Sequence, residues 1–148
     1  MASEQFGPER SEPKLSRLKT ILVVDDDEKN RKLFRIALSR SSFRVIEAPN
    51  GTSGVALAKA DLPHLILMDV RLPDISGLEA TRRIKADPET RHIPVVAVTA
   101  YAMKEDEQRA LQAGCVGYLT KPVDLNDLRR EVSRHLGDPE SPRANATN

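Results

Sequence analysis

Between residues 19 and 136 the apolar positions fall into two alternating kinds. Five short runs stand out: Ile21–Val24, Phe43–Ala48, His64–Met68, Ile93–Val98 and Val116–Leu119. Four of them are almost continuously apolar, as parallel strands covered on both faces must be. The segments between them carry helix signals instead. Leu125, Leu128, Val132 and Leu136 mark one face of a last helix, which Asp124 can cap. Ser76 with Glu79 three residues on forms a capping box, and Asn50 can cap a segment running to Ala60. Gly114 stands where a left-handed cap would close the fourth helix. Five strand–helix units in this span predict a doubly wound α/β sandwich.

The ends differ from this middle. Residues 1–18 are rich in Ser, Glu, Pro and charge, and residues 137–148 hold no large apolar side chain. Such segments bury too little surface to offset their ordering entropy, so both read as mobile tails flanking a folded unit over 19–136. Asn145-Ala146-Thr147 matches a glycosylation acceptor, but without an export signal the match reads as accidental. The residues after Leu136 are too few for a DNA-binding domain, and the N-terminal Met with a polar tail favours a complete small protein.

Composition adds mainly exclusions. Among 148 residues there is one cysteine, which excludes an internal disulfide framework and a cysteine-based zinc site. No apolar run is long enough to span a membrane and no secretory signal opens the chain, so the cytoplasm is the expected compartment. A net charge of +1 argues for neither nucleic acid nor acidic lipid.

The chemistry lies just past the end of each strand. The first run ends in Asp25-Asp26-Asp27, the third in Asp69, the fourth in Thr99 and the fifth in Thr120-Lys121. In a parallel sheet these ends share one edge, where ligands bind at the topological switch point. The second run breaks the pattern, passing into Pro49-Asn50-Gly51. Placing it at the outer edge gives the strand order 2-1-3-4-5 and gathers acids, hydroxyl and ammonium into one pocket. Ionised carboxylates in contact repel each other unless a cation sits among them. Oxygen donors without nearby His or Cys select a hard ion such as Mg²⁺. A Thr hydroxyl and a Lys ammonium opposite it suit the oxygens of a transferring phosphoryl group, and a carboxylate can be its acceptor. Phosphoryl transfer onto an Asp is the reaction class these residues suggest.

The acidic cluster after the first strand, Met68–Ala80 (MDVRLPDISGLEA), Val98–Ala100 (VTA) and Tyr118–Pro122 (YLTKP) together resemble the response-regulator receiver domain of two-component signalling. The resemblance covers residues 19–136 and implies a flavodoxin-like (βα)5 fold. It implies that Asp69 is the phosphoryl acceptor and that Asp25 and Asp26 are the acid pair. In that reading Asp26 binds Mg²⁺ directly, Asp25 acts largely through water, and the Arg71 carbonyl completes the metal site. Thr99 and Lys121 would engage the phosphoryl oxygens, Tyr118 would be the aromatic switch residue, and the Lys121–Pro122 peptide would be cis. Bulky Arg71 and Tyr101, two residues after the acceptor and after the Thr, would shield the acyl phosphate and lengthen its life.

The implied function is that of a signalling phospho-acceptor with weak phosphatase activity on itself. Its donor would be a phosphohistidine on a histidine kinase or a histidine phosphotransfer protein. Its output would be a downstream protein effector, reached through the face of the fourth helix, fifth strand and fifth helix, with the chain a monomer or weak dimer. The stretch from Val98 to Asp124 is similar both to stand-alone cell-cycle receivers and to receivers carried by hybrid histidine kinases, so a fragment of such a kinase is an alternative. A phosphohydrolase of the haloacid dehalogenase type would use Asp25 and Asp27. It lacks a later acid pair beyond Asp124 and Asp127 at a helix start, and leaves Asp69 without a role. A dinucleotide-binding domain would need a Gly-x-Gly-x-x-Gly after the first strand, and none is present.

Duller roles fit the remaining candidates. Asp27 reads as a helix cap and Cys115 as a small buried residue. The run Lys104–Glu107 reads as a solvated helical face, as do the basic groups Arg82, Arg83, Lys85 and Arg129, Arg130, Arg134.

Overall fold

The computed structural model describes residues 18–101 and 103–137. The expected mobile tails and the Asn145 acceptor therefore lie almost wholly outside the described residues. Five strands alternate with five helices: β1 (Thr20–Val24), α1 (Glu28–Ser39), β2 (Arg44–Ala48), α2 (Gly51–Asp61), β3 (Leu65–Asp69), α3 (Gly77–Ala86), β4 (Val95–Thr99), α4 (Lys104–Ala113), β5 (Gly117–Thr120) and α5 (Leu125–Leu136). All neighbouring strands pair in parallel, in the order β2-β1-β3-β4-β5. The doubly wound (βα)5 sandwich and its strand order are those expected.

Every residue of β1, β3 and β4 is buried, which accounts for their continuous apolar runs. Successive side chains alternate between two cores. Leu22, Val24, Ile66, Met68, Val95 and Ala97 face α2, α3 and α4. Ile21, Val23, Leu65, Leu67, Val96 and Val98 face α1 and α5. Burying side chains of this kind contributes roughly 1.5–3 kcal/mol each, and the two cores on either face of the sheet hold all the largest fully buried side chains among the described residues.

The N-terminal caps read from the sequence are in place, except that the Ser76–Glu79 box is only half made, because the Glu79 carboxylate pairs with Arg82 and Arg83 instead of reaching back. Asn50 accepts from the Ser53 N–H (2.8 Å), Ser76 from the Glu79 N–H (3.0 Å) and Asp124 from the Asn126 N–H (2.7 Å). Asp27 caps α1, accepting from the Lys29 N–H at 2.9 Å. Gly114 is left-handed, with φ 112°.

Strand bounds shift by a residue or two. β4 starts at Val95 rather than Ile93, because the Ile93 N–H closes a turn on the Thr90 carbonyl (3.0 Å) and Pro94 has no N–H to offer. β3 and β4 run on to include Asp69 and Thr99, so both polar groups are held by ladder residues rather than by loops. One basic group departs from its expected solvated role. Lys85 is half-buried, and its ammonium donates to the carbonyls of Arg91 (3.1 Å) and Ile93. Among the described residues no helix is long and apolar enough to cross a membrane.

Candidate phosphoryl-acceptor and metal site

The carboxyl edge of the sheet collects Asp25 and Asp26 after β1, Asp69 at the end of β3, Thr99 at the end of β4 and Lys121 after β5. Carboxylate oxygens of Asp25, Asp26 and Asp69 lie within 4.8 Å of one another. Asp25 and Asp69 are buried and Asp26 is exposed, so the cluster has a floor and a mouth. Lys121 Nζ bridges the floor, 3.1 Å from Asp25 Oδ2 and 3.0 Å from Asp69 Oδ2. Its backbone N–H donates to the Thr99 carbonyl at 2.7 Å, locking the lysine to the strand that carries the buried threonine. The Lys121–Pro122 peptide is cis.

The charges do not balance. One ammonium faces three carboxylates, leaving an excess of two negative charges if all are ionised. Burial raises the Asp69 pKa above its ordinary value; hydrogen bonding to Lys121 opposes this and the Asp25 charge adds to it. Burial pulls the Lys121 pKa down, but the bond to Asp69 and the charges of Asp69 and Asp25 outweigh it and the net shift is upward. The ammonium is thus held charged, while Asp69 bears the cost of the crowding.

Asp25 Oδ1 accepts from the Asp27 N–H at 2.9 Å. Its buried Oδ2 has the Lys121 ammonium nearby but no well-directed hydrogen bond. A buried carboxylate oxygen in that condition, within a set of oxygen donors open on one side, fits a hard divalent cation such as Mg²⁺.

The surroundings were only partly foreseeable. Arg31 of α1 donates to the Asp25 carbonyl (2.8 Å) and to Glu47 (3.1 Å), and Arg35 also pairs with Glu47, so β2 and α1 brace the acidic turn. Nothing in the local sequence marks that network. Arg71 N–H donates to Asp69 Oδ1 at 3.2 Å, and its guanidinium lies 4.5 Å from the centre of the Tyr101 ring. Tyr101 N–H in turn donates to Thr99 Oγ1 (3.1 Å), and the Tyr118 hydroxyl donates to the Tyr101 carbonyl. The candidates Arg71, Thr99, Tyr101 and Tyr118 are therefore one connected chain along the rim. Asp27 is outside the acid cluster and serves its helix, which removes the acid pair a dehalogenase-type phosphohydrolase would need.

Residues 21–133 match the model of the response regulator receiver domain. This chain belongs to the receiver-domain family. It is 46% identical over 120 residues to the polar-differentiation response regulator DivK of Brucella anthropi, covering 81% of this chain and 98% of that protein. DivK of Brucella ovis is 45% identical over the same shares. Among solved structures, the receiver domain of a Pseudomonas aeruginosa sensor histidine kinase superposes with TM-score 0.76 at 36% identity, covering 81% of this chain and 98% of that one. That structure has a magnesium ion coordinated in its active-site cleft. The receiver domain of Ssk1 from Saccharomyces cerevisiae, crystallised with the histidine phosphotransfer protein Ypd1, superposes with TM-score 0.75 at 30% identity over 80% and 88% of the two chains. The receiver is thus a module of two-component signalling with the fold of its relatives.

Proposed function

We propose that this receiver accepts a phosphoryl group on Asp69 from a phosphohistidine and passes the change to a protein effector. The observation that carries this reading is the half-buried Lys121 ammonium shared by the buried Asp25 and Asp69, with Asp26 at the mouth and Thr99 on the adjoining strand end. Mg²⁺ would be held by Asp26, Asp69 and the Arg71 carbonyl, with Asp25 acting through water. The ion supplies positive charge that offsets the crowded carboxylates and phosphoryl oxygens. Asp69 attacks phosphorus as the phosphorus–nitrogen bond to the donor imidazole breaks, forming an acyl phosphate. Lys121 and Thr99 then stabilise the new oxygens.

The donor has a suitable landing place. Beside Lys121 lies a groove of about 340 Å³ between α1 and α5, lined by Leu33, Ile36, Ala37, Pro122 and Leu125. Leu33, Ile36 and Leu125 are exposed. A protein presenting a phosphohistidine to Asp69 must cover this rim, as a histidine kinase or phosphotransfer protein would.

The output follows the connected rim. Thr99, drawn to the phosphoryl oxygens, weakens the hold of Tyr101 on Tyr118 and shifts the balance of the face built from α4, β5 and α5. Water later cleaves the acyl phosphate, a weak activity on itself; Arg71 stacked on Tyr101 slows that approach. In this proposal the receiver works as a stand-alone cytoplasmic switch, as a monomer or weak dimer.

Incubation with Mg²⁺ and acetyl phosphate labels the wild-type chain and leaves Asp69→Asn unlabelled, read by phosphate-sensitive gel or intact mass. Label surviving in Asp69→Asn overturns the acceptor assignment. Arg71→Ala and Tyr101→Ala each hasten loss of the label; unchanged decay in both removes the shielding role.

A further inference from the structure

Asp74 lies in the loop between β3 and α3, exposed and outside the acid cluster. Its carboxylate does not face the pocket. Oδ1 accepts from the Gly51 N–H and Oδ2 from the Thr52 N–H, both at 2.8 Å, in the first turn of α2. Hydrogen bonding from Thr52, side chain first and backbone after it, holds the Asp74 carboxyl well below the usual carboxylate range. With Asn50 taking the Ser53 N–H, three of the four free donors at the start of α2 are satisfied, two of them by a residue more than twenty positions away.

The bond matters because of the groups at its two ends. On one side, α2 follows directly on β2, whose Ala48 carbonyl accepts from the Asp25 N–H at 3.1 Å. On the other, Asp74 is three residues from Arg71, whose own N–H is on Asp69. The loop is closed behind by the Gly77 N–H on the Val70 carbonyl (2.8 Å). Ile75 sits where a side chain on Gly51 would be: a Cβ there would meet Ile75 Cγ1 at 2.5 Å. The pocket is therefore ringed: Asp25 to Ala48, along the chain to Gly51, across to Asp74, back to Arg71 and Asp69, and through Lys121 to Asp25 again. Asp74 is the clasp between the half that carries the β1 acids and the half that carries the Arg71 carbonyl.

We infer that Asp74 is a positioning residue of the metal site, fixing the Arg71 carbonyl relative to the carboxylates after β1. The inference rests on the reading that Mg²⁺ binds in this pocket. Outer groups that orient metal ligands typically change affinity ten- to a hundredfold when removed. A clasp on one ligand of several belongs at the lower end, roughly tenfold.

The test is a calorimetric titration of the metal-free full chain with Mg²⁺. It is paired with amide hydrogen exchange of residues 70–76 and with melting in the absence of metal. Asp74→Ala weakens Mg²⁺ binding roughly tenfold and speeds exchange through 70–76, while Asp74→Asn, which keeps one acceptor, falls between. Asn50→Ala removes a bond from the same turn of α2 without touching the loop. It lowers the melting temperature comparably but leaves Mg²⁺ affinity within about twofold, a change too small to count against the outer-group range. Affinity unchanged in Asp74→Ala, or reduced as much in Asn50→Ala, overturns the positioning role and leaves helix capping alone. Should Asp74→Ala not fold, wild-type affinity and exchange in Asp74→Asn overturn the role equally. A wild-type chain that takes up no Mg²⁺ is a separate outcome, and it overturns the metal reading itself.

Discussion

The two faces of the sheet are covered differently. Three helices close one side, and they approach through small residues: Gly51, Gly54 and Ala58 on α2, Gly77 and Ala80 on α3, Ala110 and Ala113 on α4. Two helices cover the other side with larger groups, Phe34 and Leu38 from α1 and Leu128 and Val132 from α5. Small residues let backbones come close and leave no slack. The bulky pair of helices stands apart and leaves the apolar groove beside Lys121. The close-packed side buttresses the loop between β3 and α3, while the looser side leaves an exposed apolar groove, the docking surface proposed above.

Adding atoms separates the two sides most sharply. A Cβ at Gly77 would lie 1.9 Å from the Asp69 carbonyl oxygen, so the acceptor strand itself must move. Gly77→Ala is expected to cost about 3 kcal/mol and to impair labelling of Asp69, seen as a melting temperature lower by roughly 10 °C or more. At Gly54 the nearest atom is Val24 Cγ2 at 2.9 Å, a side chain that can yield a little. Gly54→Ala is expected to cost about 1 kcal/mol in urea unfolding, because overpacking is partly offset by better helix propensity. On the looser side Ala37→Leu extends into the groove. It should change stability by less than about 1 kcal/mol, in the stabilising direction, while slowing phosphotransfer from a phosphohistidine protein and sparing labelling by acetyl phosphate. Equal slowing of both donors would remove the groove from the docking proposal.

The smallest effect is one of pH. The Asp74 pKa is lowered on folding, so its contribution is full above its ordinary value of 3.8 and is lost as pH falls below that value toward the folded one. Asp74→Asn should lower metal-free stability at neutral pH, where the contribution is full, and flatten the acid limb, so that the two chains converge as pH falls through that range. An unaltered limb would mean the clasp adds nothing to folding.

Much of this fold is legible in the chain. β1, β3 and β4 are buried on both faces, so their runs stand out without any need for period, and the polar residue ending each one marks the sheet edge. Caps at Asp27, Asn50, Ser76 and Asp124 are local, a side chain bonding two or three residues on, and local bonds leave local signatures. The hidden features depend on residues far apart in sequence. Asp74 reads as an ordinary turn residue until the fold brings α2 to it. Arg31 and Glu47 are unremarkable charges until β2 lies beside β1. The groove depends on how far α1 and α5 stand apart, and apolar spacing reports only which face a helix buries. Lys85 departs from the solvated face expected of it for the same reason: its partners are carbonyls in the turn before β4.

The one thiol of the chain has a practical consequence. Cys115 is 4% exposed, and burial pushes its pKa up, so it reacts slowly with maleimides while the protein is folded. The native chain is therefore a nearly blank background for labelling chemistry. A cysteine placed at Leu33, 66% exposed on the groove, would take up a fluorophore alone and report each docking event as a change in its light.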